Sequence, residues 1–357
     1  MRVLHVLNTG KYSGAENVVI TLIHALEDTA ECAYVSPDGP IRIILEENNI
    51  TFYPISTKAT NAKELKRIID EFKPDIIHTH DYNAGIMAVL TGTRLPIINH
   101  LHNNTPWLRS FCGKSIAYGL SCLRYQKIFT VSDSVMNEFI FGNWFRTKSE
   151  VVGNPIDLNK IRQKANAQMD EALVSKAKTD LVFLGRLSPQ KNIFFLLEVL
   201  RDVKKQLPNI TLSVIGTGEL RKDFEARIEE LDLSENVVLF GFQNNPYPLL
   251  KQAKVMCMPS KWEGFGLAAV EAMALGLPVV AANVGGLSTI VNEQCGKLCE
   301  EKREYVDEIV RLLSDERFYR SKVDGAICRA DKYDNLDTYK EAVVAVYTQL
   351  SSNKVVR

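Results

Sequence analysis

The sequence predicts an α/β protein made of two doubly wound, Rossmann-like domains, each a parallel sheet with helices on both faces. Three observations predict it. Short, unbroken apolar runs recur in both halves, with helix-forming stretches between most of them, as expected of strands covered on both faces. The series stops between residues 157 and 180, where charged helix formers take over, and then begins again. A length of 357 residues suits about two hydrophobic cores.

In order, residues 3–7 form a strand, the loop NTGKYSGAEN follows, and a helix is expected over 18–26. Gly10 and Gly14 are spaced more widely than in the dinucleotide fingerprint, which disfavours a Rossmann dehydrogenase. The loop holds a phosphate, leaves room for an acceptor, or is a plain tight turn. Further strands are expected at 32–35, 51–55, 76–79, 97–101, 128–131 and 151–152, with helices such as 62–72 and 135–141 between them. Ligands bind at the carboxyl ends of such strands. His78, His80 and Asp81 stand at one strand end, and His100, His102 and Asn103 at another. They read as polar contacts or capped loop ends rather than a metal cage. Residues 105–127 contain Arg109, Lys114, Arg124 and Lys127, no acid, and interleaved Trp107, Leu108 and Phe111. That composition fits either contact with an anionic membrane or a helix solvated on its basic side.

The second series has strands at 181–184, 212–215 and 237–240, a helix over 192–206 and the turn Gly216-Thr217-Gly218. Next comes PSKWEGFGLAAVEAMALGLPVVAANVGG, residues 259–286, between apolar strands at 255–258 and 279–282. A strand, a glycine-bearing turn and a helix starting near Gly266 make an anion site from backbone amides. Glu263 and Glu271 bracket that helix start. Carboxylates repel phosphate and accept from hydroxyls, so amides and acids together suggest a nucleotide-sugar. A domain of residues 1–157 and one of 158–335 are expected, with a helix from about 336 to 357 returning to the first.

Composition narrows the class. Lys+Arg and Asp+Glu both count 43, so no affinity for nucleic acid is implied. Seven scattered cysteines suit a reducing cytoplasm; Cys295 and Cys299 lack partners for a zinc site and read as strand residues. MRVLHVLNTG reads as a first strand, not a signal peptide, and glycines and Pro278 break up the uncharged stretch 272–292.

Taken together, GRLSPQKN (185–192), VIGTGEL (214–220) and the 259–286 motif resemble the family 4 retaining glycosyltransferases, and the resemblance covers essentially the whole chain. It implies the GT-B fold, two Rossmann-like domains facing across a cleft. It implies that Arg186 and Lys191 hold the donor diphosphate, that Glu263 contacts the donor sugar and that Glu271 accepts from the ribose hydroxyls. Amides around Gly264, Phe265, Gly266 and Leu267 would touch phosphate, and Gly216 and Phe242 would line the base pocket. His102 corresponds to a histidine beside the reacting sugar, with His80 and Asn103 near it. The loop carrying Gly14 and Glu16 would face donor and acceptor. Two departures stand out: Tyr-Ser-Gly-Ala-Glu (12–16) where paired glycines are usual, and Thr289 where an acid is common.

The implied activity moves a sugar from a nucleoside-diphosphate sugar, UDP-linked ahead of GDP-linked, to an acceptor hydroxyl with retained configuration. The catalytic set would be His102, Glu263, Arg186 and Lys191, with neither metal nor cofactor. The acceptor would be a sugar or lipid-linked sugar in cell-surface polysaccharide or glycolipid assembly. The enzyme would be cytoplasmic, at the inner membrane face through residues 105–127. A nucleotide-sugar epimerase and a non-catalytic nucleotide-sugar-binding module remain alternatives; product analysis without acceptor separates the first, and tight donor binding without turnover the second.

Overall fold

The computed structural model describes residues 1–56, 61–169, 173 and 176–352. The chain divides into two compact units, one of Met1–Pro155 with Asn335–Arg357 and one of Ile156–Asp334. Parts of the expected junction, residues 170–172 and 174–175, and the end of the expected C-terminal helix, 353–357, lie outside the described residues.

In the first unit, β1 (Arg2–Val6), β2 (Glu31–Pro37), β3 (Thr51–Ile55), β4 (Ile76–Thr79), β5 (Ile97–Leu101), β6 (Lys127–Thr130) and β7 (Ser149–Val151) form one sheet. Its order is β3-β2-β1-β4-β5-β6-β7, and every pairing is parallel. The connection from β3 to β4 carries the chain to the other side of β1, so the order reverses between β1 and β4. Val3, Ile76, Ile98 and Phe129 face Tyr339, Val343 and Tyr347 of the helix Leu336–Ser352, which closes this side of the sheet.

The second unit repeats the plan with β8 (Leu181–Leu184), β9 (Leu212–Ile215), β10 (Val237–Gly241), β11 (Val255–Met258), β12 (Val279–Ala282) and β13 (Gly296–Cys299), in the order β10-β9-β8-β11-β12-β13. All pairings are again parallel, and the reversal falls between β8 and β11. The helix Ile193–Lys204 buries Leu196, Leu197, Leu200 and Val203 against this sheet, the spacing of a one-sided apolar stripe.

Some local expectations are corrected. The first helix spans Gly14–Ala25 rather than starting near residue 18, so Gly14 and Glu16 belong to its first turn, not to the loop. Glycine beside polar residues looks like loop in sequence, yet Ser13 is extended and the helix begins directly after it. The helix expected over 135–141 is Asp133–Glu138; Phe139 turns extended, and a 3₁₀ segment follows at Gly142–Lys148. Cys299 ends β13, while Cys295 lies just before that strand.

Candidate active site

In open α/β sheets ligand sites form past the carboxyl ends of strands where the strand order reverses. In the second unit those ends belong to β8 and β11. Gly185 and Arg186 follow β8, and the 3₁₀ turn Pro189–Lys191 then delivers Lys191. From β11 the chain runs through Pro259 and Ser260 to Glu263. Lys191 Nζ lies 2.5 Å from Glu263 Oε1, and the Ser260 hydroxyl donates to the same oxygen at 2.8 Å. The two charged side chains are 18% and 8% exposed, so the pair is largely shielded from water. Gln190 ties the two loops together: its Nε2 donates to the Trp262 carbonyl at 3.0 Å, and its carbonyl accepts from Lys261 N–H at 2.8 Å.

Arg186 stands apart from that pair. Its guanidinium is half exposed and 3.5 Å from Glu219, in the segment after β9. Gly216, at the end of β9, has φ +136°, and a Cβ there would sit 2.0 Å from the Gly185 carbonyl oxygen, so only glycine lets these two turns approach. Phe242, just past β10, is exposed.

The helix Leu267–Ala274 starts from Gly266, whose φ of +110° is left-handed and whose missing side chain leaves room for Leu287. First-turn amides have no partner within a helix and carry its positive end, which places Phe265, Gly266 and Leu267 at an anion-attracting terminus. Gly286 N–H donates to the Glu263 carbonyl at 3.1 Å, and Phe265 packs edge-on to Tyr333, which fixes the loop carrying Gly264. Within the helix, Glu271 accepts from the Tyr247 hydroxyl at 3.0 Å. Burial pushes its carboxyl above the usual range; Tyr247 and Lys164 pull it partly back. The arrangement offers an ammonium and an amide terminus to a diphosphate, and carboxylates to hydroxyls, past the carboxyl ends of β8 and β11 where the strand order reverses.

The other candidate residues lie in the first unit, past β1, β4 and β5. Glu16 is 2% exposed, and Ser13 Oγ donates to it at 2.5 Å. Burial raises its pKa to about 7, with the charge of Asp81 adding to the effect and Ser13 opposing it. Asn103 contributes its carbonyl to the Tyr82 hydroxyl. His80 and His102 meet: Nδ1 of one is 3.1 Å from Nε2 of the other. Burial pushes His102 down to about 4, so near neutrality it is an uncharged imidazole that can accept or orient a hydrogen bond.

The reading of the histidines as contacts at two separate strand ends is corrected. His78 and His100 lie inside β4 and β5, fully buried. The register pairs His5 of β1 with His78, and His78 with Ile98, which sets His80 abreast of His100. Alternation then turns all five rings to one face, where His78–His80 and His100–His102 stack at 4.2 Å between centroids. Sequence reasoning missed His5, although its position in the first apolar run held the signal. It also missed Ser260, Tyr247 and Glu219 as partners, because pairings between segments far apart in the chain leave no local pattern.

Residues 165–326 match the family described as glycosyl transferases group 1, and residues 12–160 match glycosyltransferase family 4. An N-acetylgalactosamine-N,N'-diacetylbacillosaminyl-diphospho-undecaprenol 4-alpha-N-acetylgalactosaminyltransferase of Campylobacter jejuni is 30% identical, over 92% of this chain and 95% of the relative. An uncharacterized glycosyltransferase of Methanocaldococcus jannaschii is 31% identical over 67% of this chain, a match spanning 62% of that relative's length. Among solved structures, Anabaena HepE in complex with UDP-glucose superposes with a TM-score of 0.84 at 22% identity, covering 98% of this chain and 100% of that one. The likeness identifies the fold as GT-B.

Proposed function

We propose that this chain, which belongs to the family 4 glycosyltransferases, moves a hexosyl or N-acetylhexosaminyl group from a UDP-sugar to a hydroxyl of a lipid-linked acceptor with retained anomeric configuration. The observation that carries the reading is the shielded Lys191–Glu263 pair beside the amide terminus of the helix Leu267–Ala274. A cation held by an acid next to a helix start is poised to exchange partners. An arriving diphosphate takes Lys191, and Glu263, kept in place by Ser260, then accepts from sugar hydroxyls. Glu271 accepts from the ribose.

In the transfer step the acceptor oxygen bonds to the anomeric carbon as that carbon's bond to the diphosphate oxygen breaks, on the same face. The acceptor proton passes to a departing phosphate oxygen. Negative charge grows on the diphosphate, and Lys191, Arg186 and the helix amides stabilise it without reorganising. His102, neutral near pH 7, orients a hydroxyl rather than supplying charge. Gly14 is assigned to the donor, Glu16, His80 and Asn103 to the acceptor side of the same reaction, and Phe242 and Gly216 to the base pocket.

The UDP-sugar follows the Anabaena complex, and the lipid diphosphate acceptor follows the acceptor named for the Campylobacter enzyme. Such an acceptor requires work at a membrane surface on the cytoplasmic side. Among the described residues no helix is long and apolar enough to cross a membrane. The expected basic face over 105–127 is amended, because Arg109 pairs with Glu138, Lys127 with Glu150, and Arg124 donates to the carbonyls of Thr93 and Leu95. Beside exposed Arg109 and Lys114, large apolar side chains are exposed there as well: Phe111, Leu120 and Leu123, joined by Trp144 from the following 3₁₀ segment. Phe111, Phe141 and Trp144 form one aromatic chain, suited to the headgroup boundary.

The experiment is a panel of UDP- and GDP-sugars. The proposal expects thermal stabilisation by a UDP-sugar and sugar transfer only with acceptor present. Conversion of the donor in the absence of acceptor would instead identify an epimerase.

A further inference from the structure

We propose that His80, His100 and His102 form a binding site for one divalent transition-metal ion of the Zn²⁺ class in the N-terminal unit. One ring nitrogen from each lies within 4.8 Å of the others. Nδ1 of His80 and Nε2 of His102 are 3.1 Å apart. Two nitrogens bound to one tetrahedral Zn²⁺ at about 2.0–2.1 Å lie about 3.4 Å apart, so an ion fits between them after a shift of a few tenths of an ångström. His100 supplies the third ligand. It is fully buried in β5, and neither of its ring nitrogens has a hydrogen-bond partner. Two orphaned polar atoms on one buried ring are costly unless something occupies the space beside them.

The surroundings match what metal-bound imidazoles need. A ligating histidine is oriented by a hydrogen bond at its other nitrogen. His80 has that bond, its Nε2 lying 2.9 Å from His5 Nδ1; the Asn154 side chain stands beside His102, whose Nδ1 has no hydrogen-bond partner. An ion also needs an entry path, and His102 is the partly exposed member of the set. His5, His78 and His80 also gather their nitrogens, but all three are buried, and His5 Nδ1 is engaged with His80. Three imidazoles without thiolate or carboxylate favour Zn²⁺, Co²⁺ or Ni²⁺ over Mg²⁺ or Ca²⁺. Three protein ligands leave a fourth position open toward the His102 edge. The site uses none of the residues assigned to the donor diphosphate, but it shares His80 and His102 with the acceptor side proposed above, so a bound ion would occupy the His102 nitrogen that faces His80 while leaving the diphosphate contacts untouched.

The test uses the full-length, tag-free chain stripped with a chelator. It is titrated with Co²⁺ and followed by visible absorption; a parallel sample is loaded with Zn²⁺ and analysed for metal after gel filtration. The site predicts about one ion per chain and the intense bands of four-coordinate Co²⁺. His100→Phe, which keeps a flat apolar ring beside Phe129, should abolish both signals while circular dichroism stays native. His5→Phe, which removes only the orienting contact, should weaken binding roughly 10- to 100-fold. If His100→Phe does not fold, His102→Gln at the exposed edge makes the same measurement. Failure of the stripped protein to retain an ion, or equal uptake by a folded variant lacking a ligand, would overturn the proposal and leave the cluster as a buried pocket for water.

Discussion

Replacing Lys191 by methionine separates two consequences of one charge. The side chain keeps its length and loses its ammonium, leaving Glu263 with Ser260 as its partner in a site where the acid is 8% exposed. Breaking a fully buried ion pair costs about 3–5 kcal/mol, and an exposed pair is worth about 0–1. A pair this shielded should fall between, at about 2 kcal/mol. For a unit of this size that corresponds to a fall in Tm of roughly 4–8 °C. Glu263→Gln combined with Lys191→Met removes both charges and should recover part of the loss, so the two substitutions should be non-additive by about 1 kcal/mol or more. Transfer behaves differently. Loss of a cation that stabilises the departing diphosphate should cost about 2.7–4 kcal/mol in kcat, or roughly 10²- to 10³-fold, and the double variant should not recover it. Denaturation curves and initial rates on the four proteins of the cycle decide the matter. Recovery of rate in parallel with stability would mean that Lys191 only holds the loop, and the reasoning about the diphosphate would be refuted.

Glu16 supplies a pH test. Its pKa is raised from 4.5 to about 7, so the folded protein holds a proton that the unfolded chain has lost between those values. Stability from this group is therefore complete below about pH 4.5 and declines by about 3 kcal/mol as pH rises to 7. Glu16→Gln should flatten that slope in denaturant titrations at pH 5 and pH 8; an unchanged slope would remove Glu16 as its source. Gly216→Ala forces a side chain into the Gly185 carbonyl and should destabilise the second unit and weaken UDP binding, as calorimetry would record. Sugar transfer should persist in EDTA, and full loss with rescue by a divalent ion would contradict the metal-free account of the diphosphate. Phe111→Ser with Trp144→Ser should reduce sedimentation with anionic vesicles more than Lys114→Ser does; the reverse order would make charge the main contact.

Much of the fold was legible in the sequence because parallel strands buried on both faces are continuous apolar runs. The runs at 76–79, 97–101, 181–184, 212–215, 255–258 and 279–282 coincide with strands. The helix start at Gly266 was legible for a similar reason: few residues besides glycine tolerate its backbone angle. What stayed hidden depends on register. One-residue shifts between β1, β4 and β5 decide whether five histidines scatter or share a face, and register does not show in a single strand. The pairing of Lys191 with Glu263 was hidden too, since each residue was read against a phosphate or a sugar and not against the other. The pairing of Arg109 and Lys127 with acids, and of Arg124 with carbonyls, depends on residues elsewhere in the chain.

The most direct measurement is proton NMR of the product formed from a UDP-α-sugar and a diphosphate-linked acceptor. The account predicts a new α-anomeric signal that grows as UDP is released and is absent without acceptor. A β-linked product, or an epimerised donor with no acceptor added, would contradict it.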